Sequence, residues 1–136
     1  MKFSIEQAQP QVDVVSQFAS VLVLGAATAH IQHWNTLGTG SFAAHEAMGE
    51  FYTELPELTD SVIEACLQDE SKIILEKEAL FLGENPLDLV THIQEQVKTL
   101  RAQPGFPQDS EVQNLVDGIA ELCRDRKSTR LNSSHT

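Results

Sequence analysis

The chain has 136 residues, 41% of them hydrophobic, which makes one domain with enough apolar side chain to bury a core without disulfides. Its 20 acidic against 9 basic side chains leave a net charge of −11. No Lys/Arg cluster lies outside the last dozen residues, which argues against nucleic-acid binding through phosphates and favours attraction of cations.

Residues 1–10 form a polar lead-in that stops at Pro10. From Gln11 to about Thr36, Val15, Phe18, Ala19, Leu22, Ala26, Ala29 and His33 recur at steps of three and four, which predicts an amphipathic helix about 36 Å long. Its second face carries Val14, Val21, Val23 and Leu24 and is apolar too, so the helix is expected to be covered on more than one side, as in an oligomer. The run Phe18 to Ala29 ends in an A-x-A pattern like an export signal. Glu6 and Asp13 before it oppose Lys2 where a signal peptide wants a basic start, and the run is too short to span a bilayer. A buried helix and no membrane association are expected. Cys66 and Cys123 lie far apart in no metal-binding spacing, which suits a reducing, cytoplasmic compartment.

Gly38-Thr39-Gly40 reads as a turn and Ser41 as the cap of a second helix, running from Ser41 or Phe42 to about Asp69. Phe42, Met48, Phe51, Leu55, Leu58, Val62, Ala65 and Cys66 supply its apolar stripe, Pro56 predicts a kink, and Gly49 admits close approach of another helix. Ser71 to Leu82 has no clear pattern. Gly83-Glu84-Asn85-Pro86 is a break, and Pro86 opens a third helix, Leu87 to about Arg101, buried through Leu87, Val90, Ile93, Val97 and Leu100. After the turn Gln103 to Pro107, Asp109 or Ser110 caps a fourth helix carrying Val112, Leu115, Val116, Ile119 and Leu122. The pattern is that of an all-α four-helix bundle without internal repeats.

The last twelve residues, D-R-K-S-T-R-L-N-S-S-H-T, resemble the translation of a widely used sequencing adapter. The expected division is a helical bundle over 1–124 and a non-native tail over 125–136, with the fourth helix open to truncation and His135 excluded as a ligand.

Residues His33 to Glu64 concentrate the metal-ligating chemistry. His33 closes the first helix, and His45, Asp60 and Glu64 lie on the second. Asp60 and Glu64, four apart, present two carboxylates to one point. His45 lies on roughly the same side but about 22 Å away along the axis, too far to share an ion with them. His33 lies near His45 across the turn. The carboxylates are therefore expected to meet the histidines of a second copy, and an antiparallel pair about a two-fold axis would complete two such sites.

These residues carry a resemblance. His33-Trp34-Asn35, then His45, Asp60 and Glu64 at steps of twelve, fifteen and four, resemble the ferroxidase segment of the Dps-type mini-ferritins within the ferritin-like group. The resemblance implies a ferritin-like bundle and an iron site made by His33 and His45 of one subunit with the aspartate and glutamate of its neighbour. It further implies Fe(II) oxidation by peroxide or dioxygen, with Trp34 shuttling an electron or quenching a radical, and a twelve-subunit cage for iron storage and protection from oxidative stress. Three departures qualify it. Gly49 stands where mini-ferritins often place a carboxylate for a second iron, with Glu46 or Glu50 as substitutes. The Lys-rich DNA-binding arm is missing, and beyond Gln68 the chain is shorter than theirs and matches poorly, closer to compact ferritin-like proteins of tailed phages. No Glu-x-x-His occurs, which argues against a conventional ferritin-like site inside one four-helix bundle.

Each residue also has a plainer reading. His30 is a structural or outer partner of the site, His92 a helix-surface residue and Trp34 core filler. Most acidic residues, Glu50, Glu54 and Glu57 among them, form a solvated face that also suits guiding iron. Three functions remain in view: an iron-oxidising mini-ferritin, a non-catalytic bundle with a metal staple at its interface, and an interaction protein of phage or bacterium with a relic motif. The ligand set of imidazole and carboxylate suits Fe(II) with open positions, and binding should weaken as falling pH protonates the ligands.

Overall fold

A computed structural model describes residues 12–37, 42–67 and 71–127. Among these residues four helices form: α1 (Val14–Asn35), α2 (Phe42–Cys66), α3 (Pro86–Arg101) and α4 (Ser110–Asp125). The turn residues 38–40 and the expected cap Ser41 lie outside the described residues, as does most of the tail.

Local chemistry sets the helix ends. The Asp13 carboxylate accepts from Ser16 N at 2.7 Å and starts α1; the Thr36 hydroxyl donates to the His33 carbonyl at 3.1 Å and finishes it. Asn85 accepts from Leu87 N and Asp88 N ahead of Pro86, whose missing N–H costs nothing at a first helical position. Asp109 precedes α4 but makes no side-chain cap. The second helix ends at Cys66, earlier than expected, and continues unbroken through Pro56. The third begins one residue early, at Pro86 itself.

Helix α1 touches α2 along one side and α3 along the other, and α4 closes the ring. A Cβ at Gly25 would lie 2.6 Å from Ile93 Cδ1, so α1 and α3 approach closely there and any larger residue would have to push the end of Ile93 aside. At the far end the Phe18 and Phe106 rings pack at 4.9 Å. Arg101 ties α3 to α4 by donating to Gln113 Oε1, the Gln113 carbonyl and Asp117. Phe18, Leu22, Met48, Phe51, Leu55, Ile93, Val116 and Ile119 fill the centre. Burying each such side chain stabilises by roughly 1.5–3 kcal/mol before entropy is counted. Phe42 leaves the expected stripe and is exposed.

The unpatterned stretch after α2 is a crossover running the length of α1. Its Ile74 N and Glu76 N donate to the Ser16 and Ser20 hydroxyls near the start of α1, and Gln32 Nε2 near the end of α1 donates to the Gly83 carbonyl. A short 3-10 turn, Lys77–Ala79, lies between. The chain thus goes up, down, back up by the crossover, then down and up, with each helix antiparallel to its ring neighbours. A bundle with a single long crossover is one of the standard four-helix topologies. Helix α1 has 22 residues and is long and apolar enough to cross a membrane, whereas the apolar run read from the sequence is shorter. Here Phe18, Leu22 and Ala29 of α1 are buried in the bundle core.

Candidate metal centre

The α1–α2 hairpin brings His33 and His45 together as the sequence predicts. Each ring reaches across the hairpin to the other residue's backbone: His33 Nδ1 lies 2.8 Å from the His45 carbonyl oxygen, and His45 Nδ1 lies 2.7 Å from the His33 carbonyl oxygen. A carbonyl oxygen only accepts, so both Nδ1 atoms carry hydrogen. Each neutral ring then keeps its lone pair on Nε2. This is the tautomer that a backbone carbonyl imposes on a metal-ligating histidine, and it orients the ring as well. The rings stack at 3.8 Å and 17°. Their Nε2 lone pairs lie in adjacent, nearly parallel planes, so an ion shared by both requires the rings to tilt towards each other.

Gly49 explains why the pair can form. A Cβ at this position would lie 3.0 Å from His33 Cε1 and 3.1 Å from His33 Nδ1. The close approach expected at Gly49 is made by the His33 ring instead of a whole helix. The carboxylate that mini-ferritins often place here would compete with the ring for the same space.

Beside the pair is an open concavity of about 410 Å³, bordered by His33, His45, Glu46, Gly49, Glu50 and Thr53. Arg126, which the sequence reading assigns to the tail, ion-pairs with Glu50 at 3.3 Å and Glu54 at 2.8 Å, and also with Asp125. Glu50, an expected auxiliary ligand, is therefore already held by a cation.

Asp60 and Glu64 are both exposed on the outer face of α2. The Glu64 carboxyl is pushed above its ordinary value, first by a hydrogen bond shared with Asp60 and then by the Asp60 charge. Two carboxylates this close resist joint ionisation until a cation joins them. Among the described residues no three His, Cys, Asp or Glu side chains of one chain come together closely enough to hold a metal ion. The structure brings together the histidines, and separately the carboxylates, and the α2 rod keeps the halves about 22 Å apart.

Three aromatic side chains border the histidines. His30 stacks flat on Tyr52 at 3.9 Å and 9° and lies 4.3 Å from Trp34, while Tyr52 lies 5.3 Å from His33. His30 is thus a packing partner of the site. Trp34 is 57% exposed, which corrects the core-filler reading. His92 packs on Phe81 of the crossover at 5.0 Å and is half-buried. Tyr52 belongs to no ligand motif, and its one signal in the sequence is the seven-residue step from His45, two helical turns along the same face.

That face continues between the two half-sites as an apolar groove of about 330 Å³. Ala19, Leu22, Val23 and Ala26 of α1 form one wall and Pro56, Thr59 and Ile63 of α2 the other, with Asp60 and, from the crossover, Ile73 also lining it.

No curated protein and no solved structure matches the chain. A family profile matches residues 33–127, from His33 near the end of α1 to Lys127 just past α4. That match covers most of the chain and both half-sites, and by it the protein belongs to the family of unknown function DUF5856.

Proposed function

We propose that this protein is a mini-ferritin-like iron-oxidising protein of the cytoplasm. Two copies pair so that His33 and His45 of one face Asp60 and Glu64 of the other, and Fe(II) is the substrate. The observation that carries the reading is the reciprocal bonding of the two histidines, which leaves both Nε2 lone pairs for a metal. The resemblance over residues 30–64, the single-crossover topology and the raised Glu64 carboxyl all support it.

The residues have separable tasks. His33 and His45 supply neutral nitrogen; Asp60 and Glu64 supply the negative charge that favours Fe(III) over Fe(II) as the electron leaves. Hydrogen peroxide takes two electrons from two Fe(II) ions and two protons from water or buffer, giving two waters and two Fe(III). The net negative charge draws Fe(II) to the surface. A cage of such dimers would store the ferric product, and a phage or a bacterium under oxidative stress would benefit alike. Trp34 packs on His30 beside the histidine pair, and from there it would donate an electron to a radical formed at the site.

One observation favours a second reading. The histidine pair satisfies itself within one chain and clasps the α1–α2 hairpin without a metal, as it would in a non-catalytic bundle with a structural or relic site. Anaerobic Fe(II) oxidation by peroxide separates the two. Fast oxidation that Asp60→Ala abolishes is the expected result; equal traces for the two proteins would leave the clasp as the histidines' only role.

A further inference from the structure

We infer that Trp34 is an interface anchor: it seats in the α1–α2 groove of a second copy of this chain, between Ala26 and Ile63 of the partner subunit. The inference rests on the paired reading above for its two-fold axis, and adds an interface contact and its register.

The groove and Trp34 share one face. On α2, His45, Gly49, Tyr52, Pro56, Asp60 and Ile63 follow one another at steps of three and four, so they share one side of the helix. On α1, Ala19, Val23, His30 and Trp34 do the same within about one quarter-turn. Trp34 and Val23 on that stripe are 57% and 54% exposed, and Val23 forms part of the groove wall. A large exposed indole and an open apolar groove, which Ile73 of the crossover also borders, thus lie on the same face.

The spacing then selects the occupant. The histidine pair sits near one end of the hairpin and the Asp60–Glu64 pair near the other, so their midpoint falls on α1 beside Ala27 and Thr28. A two-fold axis in the interface, perpendicular to the helices at that level, brings each histidine pair to the partner's carboxylates. The same axis reverses every other level. The groove spans Ala19 to Ala26, with its centre about 7 Å from the axis on one side. Ile31 to Trp34 lies about 7 Å from it on the other side. The axis required by the metal ligands therefore brings Trp34 level with the groove of the partner subunit. A tryptophan in an apolar pocket is a frequent hot spot of protein interfaces.

Trp34 is the single tryptophan of the chain, so the emission reports the surroundings of this one side chain. The experiment is a dilution series of the metal-free protein, with mass by sedimentation and with emission maximum and iodide quenching read on the same samples. Emission is expected to be blue-shifted and protected in the dimer, moving to the red as the dimer dissociates. Trp34→Ala, at an exposed position, should retain helix content and weaken association at least tenfold; Ala26→Leu, which fills the groove, should do the same and unprotect the indole. A dimer whose Trp34 stays fully quenchable overturns the inference and leaves the paired metal site standing. A protein that is monomeric at every concentration, with or without Fe(II), overturns both. Asp60→Ala with a protected Trp34 but no oxidation supports the anchor and isolates the metal chemistry.

Discussion

Replacing Gly49 by alanine sets two effects of similar size against each other. In a helix interior the change by itself stabilises by about 1 kcal/mol. The new Cβ, however, would stand 3.0 and 3.1 Å from two atoms of the His33 ring, where about 3.5–4.0 Å is comfortable. The ring has to move by about half an ångström to restore that separation. It is held by its bond to the His45 carbonyl at 2.8 Å and by stacking on His45, whose own Nδ1 bonds back. Losing both bonds would cost about 1–3 kcal/mol. The expected balance runs from no change to about 2 kcal/mol of destabilisation, a fall in Tm of up to about 8 °C at this chain length. The sharper readout is nitrogen NMR of the imidazoles. Wild-type His33 and His45 should both show hydrogen on Nδ1, and the variant should show a tautomer mixture with metal affinity lower by about 10–100-fold. A variant that gains the full 1 kcal/mol and keeps both Nδ1–H signals would refute the placement of the ring on Gly49.

Three further outcomes follow from the same coordinates. The raised Glu64 carboxyl binds its proton more readily in the folded chain, so its contribution to stability is present in acid and is lost as pH rises through its folded pKa. Glu64→Gln should remove that loss, visible as a flatter stability profile across the carboxylate range; an unchanged profile would deny the Asp60 contact. Ser20→Ala strips the Glu76 amide of its acceptor at 2.8 Å and should cost about 1–3 kcal/mol locally, with faster hydrogen exchange at Glu76 and quicker tryptic cleavage at Lys77. Exchange no faster than wild type would mean the crossover is held elsewhere. Cys123 is fully buried and its thiol is pushed up to about 12 by burial, whereas Cys66 is raised less, by burial and then the Asp109 charge. In native protein at pH 8 an alkylating reagent should modify Cys66 first, and equal rates would contradict the packing around Cys123.

The helices were legible because their signals are local. Asp13, Asn85-Pro86 and Asp109-Ser110 mark starts that the structure keeps to within a few residues, and the three- and four-residue spacing names most of the core. The crossover was illegible for the opposite reason. Residues 71–82 carry no period of their own, since their amides are satisfied by two serine hydroxyls more than fifty positions earlier in the chain. In the site, the proximity of His33 to His45 followed from helix geometry. What periodicity does not encode is where a ring lies once it arrives: that His33 would rest on Gly49, that Tyr52 would join His30, and that Trp34 would face solvent all depend on side-chain packing across the hairpin.

The rigidity of α2 has a consequence for metal affinity. One chain offers two nitrogens at one end of the hairpin and two carboxylates at the other, and a continuous helix cannot fold back to join them. A monomer can therefore present at most one half to an ion, whereas the proposed dimer would present both halves twice. Metal that prefers the dimer must, by linkage, tighten the dimer by the same factor. Apparent affinity for Co(II), used as an air-stable probe for Fe(II), is therefore expected to rise with protein concentration and to level off where sedimentation shows the dimer complete. Asp60→Ala should flatten that dependence while leaving weak binding at the histidines. An affinity that is the same at concentrations far below and far above dimerisation would mean that each chain binds metal alone, and the shared site would have to be abandoned.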